Sequence, residues 1–183
     1  LFVRRGLSER VAALRAVARE ANDDVEADIL YPLDMMRKIS HDIMAADGFD
    51  VDAELSAAEA IAQEKNPFKN KKGDFERHYF LEGSEEIMPY RVYVPESYKK
   101  GKRLPLIIAL HGLGGTEDTM FARLYGMKPL AEERGYLMAA PMGFRPDGGY
   151  GAMGSRNTHR GQMSEQDVMN VLSLMRGQYN VDE

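Results

Sequence analysis

The residues best suited to chemistry lie in one short segment, His111-Gly112-Leu113-Gly114-Gly115. Glycines let the backbone turn sharply and leave neighbouring amide groups unobstructed, so such amides can donate hydrogen bonds to a negatively charged oxygen. A developing oxyanion of this kind forms during acyl transfer. The same composition also suits a simple tight connection between a strand and a helix, and both interpretations stay open at this point.

A second group of polar side chains lies in segment 141–161, which is rich in Gly and Arg and is predicted to be a long surface loop. Loops that follow sheet strands commonly surround binding sites. Tyr150, Arg156 and His159 are the polar side chains of this loop that could contact a ligand.

Metal and thiol chemistry are not indicated. His41 and His78 lie in a predicted helix and a predicted strand, each without a second ligand at metal-binding spacing. The sequence contains no cysteine, which excludes a disulfide framework, a thiolate nucleophile and a zinc ribbon. We therefore expect neither a metal nor an organic cofactor.

The glycine-rich segment is positioned by a predicted α/β unit. The apolar run 104–110 is typical of a central strand that is buried on both faces, and the glycines follow it directly. Next come a helix that ends near Gly135, with Leu130 and Ala131 facing inward, and a second buried strand at 136–140. Strand, turn, helix and strand in this order predict a parallel pair.

Further elements flank this unit. Residues 75–81 and 89–95 alternate as strands, and the turn at 83–86 favours an antiparallel hairpin. A last helix is predicted to begin at Ser164, with Asp167 as the acid of a capping box. Its apolar residues at helical spacing, expected to face the core, are Val168, Val171, Leu172 and Met175.

Residues 1–65 form a predicted α-helical extension of acidic character, and 66–74 a polar linker before the domain at 75–183. Apolar residues recur at helical spacing from Ser8 to about residue 20, over 25–44, and over 52–63. Pro32 is expected to kink the second helix or to start a new one. The carboxylates of this segment suit a solvated helix face, and an acidic docking surface is the alternative.

Composition excludes several classes of protein. The chain has 183 residues, a formal charge of -5, 29% charged and 44% hydrophobic residues, as expected for a globular protein. A mildly acidic balance does not suit a nucleic-acid partner, and no apolar run approaches the roughly 18 residues of a membrane span. The first residues lack the apolar segment of a signal peptide, so we expect a removed leader or a piece of a longer chain.

Four segments carry a resemblance to a known family. They are Tyr-Arg-Val-Tyr-Val-Pro at 90–95, Leu-Pro-Leu-Ile-Ile-Ala-Leu-His-Gly-Leu-Gly-Gly at 104–115, Glu-Arg-Gly-Tyr-Leu-Met-Ala-Ala-Pro-Met-Gly at 133–143, and Ser-Glu-Gln-Asp-Val-Met-Asn-Val-Leu at 164–172. In this order and spacing, residues 75–183 resemble the α/β-hydrolase esterases related to polyhydroxybutyrate depolymerases and feruloyl esterases. The resemblance implies the amino-terminal half of an α/β-hydrolase sheet, preceded by the helical extension.

The resemblance also implies roles for residues. In this family the glycine turn follows the third strand, and the amide of the residue after His-Gly contributes to the oxyanion hole. Here that residue is Leu113, with Gly114 as a possible second donor, while His111 is a structural or pocket-lining residue and not the catalytic base. The implied activity is that of a serine esterase acting on a small-molecule or polymer-linked ester, in a secreted or periplasmic protein.

The sequence departs from the family pattern in one respect. Family members continue into a strand that ends in a G-x-S-x-G nucleophile elbow, followed by the acid and the histidine of the triad. Ser84, Ser155 and Ser164 do not stand between glycines at that spacing. We therefore expect the nucleophile, acid and base to lie beyond Glu183, in a missing carboxyl-terminal half, and residues 1–183 alone to be inactive.

Two other functions stay open. One is an inert hydrolase-like scaffold that works through its acidic helical segment. The other is a serine peptidase of the prolyl-oligopeptidase type, which shares the fold.

Overall fold

The computed structural model describes residues 2–41, 48–64, 66–123, 126–152, 154 and 157–182. Its internal contacts divide the chain into two compact units. The helical unit consists of Leu1–Lys69 with His78–Phe80, and the sheet unit of Asn70–Arg77 with Leu81–Glu183.

The helical unit contains three helices, α1 (Phe2–Ala18), α2 (Asp23–His41) and α3 (Val51–Gln63). Helix α2 runs through Pro32, so of the two roles predicted for this proline the start of a new helix is excluded. Asp50 caps α3, because its carboxylate accepts hydrogen bonds from the amides of Asp52 and Ala53 at 3.0 and 3.1 Å. The largest buried apolar side chains of this unit are Leu14, Val25, Ile29 and Leu55.

The sheet unit is built on a mixed four-stranded sheet. The strands of the sheet are β1 (Gly73–Leu81, of which His78–Phe80 are assigned to the helical unit), β2 (Glu86–Val94), β3 (Leu106–Ile108) and β4 (Leu137–Pro141), in the order β1-β2-β4-β3. Strand β4 is antiparallel to β2 and parallel to β3, so the predicted parallel pair is confirmed. All five residues of β4 are buried, which fits its position between two strands.

Strand β3 differs from its prediction as a central strand buried on both faces. Only 106–108 are paired as a strand, all three are half-buried, and Leu110 is 40% exposed. The physical reason is that β3, among the described residues, has a paired strand on one side only. On the opposite edge, just before β3 begins, Leu104 forms a parallel bridge with Val181. The Leu104 amide donates a hydrogen bond to the Asn180 carbonyl at 3.0 Å.

Two helices, α4 (Glu117–Arg123) and α5 (Met127–Arg134), precede β4. Helix α5 ends as predicted at Gly135, which caps it in the left-handed conformation at a φ of 70°. Ala131 is buried, but Leu130 is 43% exposed, so the prediction that both face inward is wrong for Leu130. Neighbouring helical residues point about 100° apart, and only one of them reaches the core here.

The last helix, α6 (His159–Gln178), begins before the predicted start. Thr158 caps it, since its hydroxyl accepts a hydrogen bond from the Gly161 amide at 3.0 Å. Ser164 and Asp167 lie inside α6 and are completely buried, so their predicted capping roles are wrong. Among the residues that the structure describes, no helix is both long enough and apolar enough to cross a lipid bilayer.

Candidate functional site

Residues 112–115 form a tight turn three residues after the end of β3. The Gly115 amide donates to the Gly112 carbonyl at 2.9 Å, and Gly114 has a φ of 77°. A hydrogen bond between the first and fourth residues with a left-handed third residue defines a type II turn, which favours glycine at that position. Leu113 is therefore the second residue of the turn.

Gly115 is required for a different reason, which is close packing. A Cβ atom at this position would lie 2.9 Å from the Cβ of His111 and 2.9 Å from the Oγ1 of Thr119. The absence of a side chain thus lets the turn fold closely between His111 and helix α4.

The two predicted amide donors have different environments. Within the described part of the chain, the Leu113 amide donates no hydrogen bond, and Leu113 is 91% exposed. The Gly114 amide instead donates to the Pro146 carbonyl at 2.8 Å. In this conformation Leu113 has an amide available for a ligand, whereas that of Gly114 is already engaged.

His111 is buried beneath the turn, with 7% of its surface exposed. Its Nδ1 lies 2.7 Å from the Gly112 carbonyl oxygen, and its Nε2 lies 2.6 Å from that of Met142. A neutral imidazole can donate to only one of these oxygens, whereas an imidazolium can donate to both. Both ring nitrogens are thus directed at the backbone, which suits a residue that holds the turn in place.

Tyr150 lies beside His111, with the two rings edge to face at 5.3 Å. Its backbone is in the left-handed region, at φ 48° and ψ 39°, and its amide donates to the Ser164 hydroxyl at 3.1 Å. The Tyr150 hydroxyl is buried and makes no well-aligned hydrogen bond to a described residue, although the His111 backbone lies close enough to interact with it. Burial raises the pKa of this phenol, the His111 backbone opposes the shift, and the carboxylates of Asp167 and Glu117 add to it.

The other two pocket candidates are placed differently. His159 is the first residue of α6, is exposed, and lies edge to face with Phe144 at 6.1 Å. Arg156 lies outside the described residues, as does Ser155. The structure therefore brings His111 and Tyr150 together at the turn.

The segment 142–150, here called the β4 loop, packs more closely than the predicted surface loop. Gly143, Phe144 and Gly148 are buried. The Oδ2 atom of Asp167 accepts hydrogen bonds from the amides of Gly143 and Phe144 at 2.6 and 3.1 Å. The sequence interpretation missed this anchor, although one signal was present: Ser164 and Asp167 share the helical period of the buried residues Val171 and Met175.

A charged cluster elsewhere in the sheet unit could be considered for a metal. Carboxylate oxygens of Glu76, Glu117 and Asp118 lie within 4.8 Å of one another. The Arg91 guanidinium, however, contacts Asp118 at 2.5 Å and Asp74 at 2.9 Å. With a cation of the protein already among these carboxylates, the arrangement is better described as an ion-pair network.

Comparisons with known proteins find matches among solved structures but none by sequence alone. No protein-family model matches the sequence, and a search of curated proteins gave no match. An S-formylglutathione hydrolase from Agrobacterium tumefaciens aligns with 60% of this chain at 17% identity and a TM-score of 0.49, and the match covers 45% of that enzyme.

Two further solved structures align over a similar part of the chain. A ferulic acid esterase from Anaeromyces mucronatus aligns with 63% of it at 19% identity and a TM-score of 0.44, with 48% of the esterase covered. A poly(3-hydroxybutyrate) depolymerase from Bordetella parapertussis aligns with 59% at 20% identity and a TM-score of 0.42, with 39% covered. The chain thus spans less than half the length of each of these three proteins.

Proposed function

We propose that this chain provides the carbonyl-binding half of a serine esterase. The observation that carries the proposal is the Leu113 amide, which donates no hydrogen bond within the described residues and lies in the glycine turn that follows β3. A fixed backbone donor of this kind stabilises the negative charge that develops on an ester carbonyl during attack by a nucleophile. No metal or organic cofactor is needed for this chemistry.

In the proposed mechanism Leu113 is the principal donor from this turn. Gly114 could add a second hydrogen bond only after its amide leaves the Pro146 carbonyl, to which it is bound at 2.8 Å. His111 fixes the turn from below through its contacts with Gly112 and Met142. Tyr150, which packs on His111, and His159, at the start of α6, are proposed to border the ester.

The nucleophile is proposed to come from the strand that follows α6 in the complete gene product. Val181 already lies parallel to Leu104, at the start of the edge of β3 that β4 does not occupy. The carboxyl ends of parallel strands meet at one edge of a sheet. A serine elbow at the end of such a strand would therefore lie close to the Leu113 amide, as the acyl-enzyme mechanism requires.

The full-length gene product tests the proposal. We expect it to hydrolyse p-nitrophenyl acetate and to be labelled covalently by a fluorophosphonate, with both signals lost when the serine of its G-x-S-x-G segment is changed to alanine. Parallel assays on peptide anilides distinguish an esterase from a peptidase. A full-length protein that neither hydrolyses esters nor reacts with the phosphonate would contradict the proposal and favour the scaffold interpretation.

A further inference from the structure

We propose that Asp167 is a positioning residue for the carbonyl-binding turn, acting through the β4 loop. This inference deepens the proposed function, and the catalytic effect expected of Asp167 rests on that function. The structural part, that α6 controls the geometry of a turn some 50 residues earlier in the sequence, rests on contacts alone.

The first link joins α6 to the β4 loop. Asp167 is completely buried, and a single carboxylate oxygen accepts hydrogen bonds from two successive amides, those of Gly143 and Phe144. Ser164, one turn earlier on the same face, accepts from the amide of Tyr150. A Cβ atom at Gly148 would lie 2.6 Å from the Ser164 hydroxyl, so the loop is closely packed against α6.

The second link joins the β4 loop to the turn. The Met142 carbonyl faces His111 Nε2 at 2.6 Å, and the Pro146 carbonyl accepts the Gly114 amide at 2.8 Å. Both carbonyls lie within two residues of the amides that Asp167 binds. Displacement of that backbone would therefore move the two groups that hold the turn.

The backbone between the two links needs this support. Gly143 and Phe144 are both in the left-handed region, with φ values of 74° and 63°. Phe144 pays a steric cost there because it has a Cβ atom, and such conformations persist only where the surroundings enforce them. Hydrogen bonds to a carboxylate are stronger than neutral ones, so Asp167 is well suited to hold the two amides in this arrangement.

Amide hydrogen exchange in the full-length protein tests the structural part. Asp167→Ala is expected to accelerate exchange at Gly114 and Gly143 by about tenfold or more, since the bonds that protect them lose their anchor. The matched control is Val171→Ala, which truncates another completely buried side chain one turn further along α6 and removes no hydrogen-bond acceptor. Equal acceleration at Gly114 in both variants, or none in Asp167→Ala, would overturn the inference.

Kinetics test the catalytic consequence. We expect Asp167→Ala to lower kcat for ester hydrolysis with little change in KM, because a displaced donor weakens binding of the transition state more than that of the substrate. Asp167→Asn keeps an acceptor oxygen and should recover part of kcat, while Val171→Ala should keep the wild-type kcat. A rise in KM at unchanged kcat would contradict a positioning role. If the wild-type protein lacks esterase activity, the proposed function fails, and the exchange experiment still decides whether Asp167 anchors the turn.

Discussion

At the scale of single residues, the candidate site depends on atoms that side-chain chemistry does not reveal. Leu113 has an unreactive side chain, yet its backbone amide is a donor that makes no hydrogen bond within the described residues. The glycines around it serve two different needs. Gly114 supplies a left-handed backbone, and Gly115 leaves the space between His111 and Thr119.

This distinction gives a matched pair of glycine substitutions. Gly115→Ala is expected to lower the free energy of unfolding by about 1–3 kcal/mol, because its Cβ would overlap His111 and Thr119. At Gly112 nothing lies within 4 Å of an added Cβ, so Gly112→Ala should leave stability unchanged or slightly higher. Urea unfolding measures both, and equal stability of the two variants would contradict the packing described for the turn.

Tyr150 leads to a second prediction at this scale. Its hydroxyl is buried and makes no well-aligned hydrogen bond to a described residue, so Tyr150→Phe should leave the free energy of unfolding unchanged or raise it by up to about 1 kcal/mol. Tyr93→Phe is the control, because the Tyr93 hydroxyl donates to Glu132 at 2.8 Å and its loss should cost about 1 kcal/mol. Thermal unfolding compares them, and a destabilised Tyr150→Phe would show that the hydroxyl has a partner.

At the scale of elements, an ion-pair network joins β1, β2 and α5 within the sheet unit. Asp74 contacts Arg91 at 2.9 Å and Lys128 at 2.8 Å. Burial tends to raise the pKa of the Asp74 carboxyl, but the hydrogen bonds and charges of Arg91 and Lys128 outweigh it and hold the pKa below its usual value. A folded-state pKa below the unfolded one stabilises the fold at pH values above about 3.9, and this contribution is lost as the pH falls through the folded value.

Asp74→Asn should therefore remove part of the pH dependence of stability. We expect the free energy of unfolding of the wild-type protein to fall between about pH 5 and pH 2. That of the variant should be lower at pH 7 and should fall less over the same pH range. Asp147→Asn is a suitable control because its ion pair with Arg160 is exposed and should contribute little. Unfolding by urea at several pH values is the measurement, and parallel curves for the wild type and Asp74→Asn would contradict the network's role.

The elements themselves were predictable where local patterns decide them. Apolar periodicity located the three helices of the helical unit. The apolar run before the glycines located β3, and a second apolar run, at 136–140, located its parallel partner β4. The start of α6 was mispredicted because Ser164 and Asp167 have the residue types of a capping box, while their oxygens bind loop amides that are distant in sequence. A local sequence pattern does not show which distant backbone amide will donate a hydrogen bond to a buried side-chain oxygen.

At the scale of the whole molecule, β3 pairs with β4 along one edge. On its other edge, the described residues contribute only the bridge between Leu104 and Val181, just before the strand begins. This arrangement explains why a run predicted to be buried on both faces is only half-buried among the described residues. The turn that follows β3 was predictable as a segment from the sequence. That its two amides differ in availability was not, because the difference arises from Pro146, about 30 residues further along the chain.

The most direct test of the central claim, that the Leu113 amide stabilises an ester oxyanion, is kcat of the full-length protein carrying Leu113→Pro or Leu113→Ala. Proline is favoured at the second position of a type II turn and has no amide hydrogen, so it removes the donor and keeps the turn. Alanine removes the same exposed side chain and keeps the donor. We predict that Leu113→Pro lowers kcat about 10²–10³-fold while Leu113→Ala stays within a few-fold of the wild type. Equal activity of the two variants would contradict the claim.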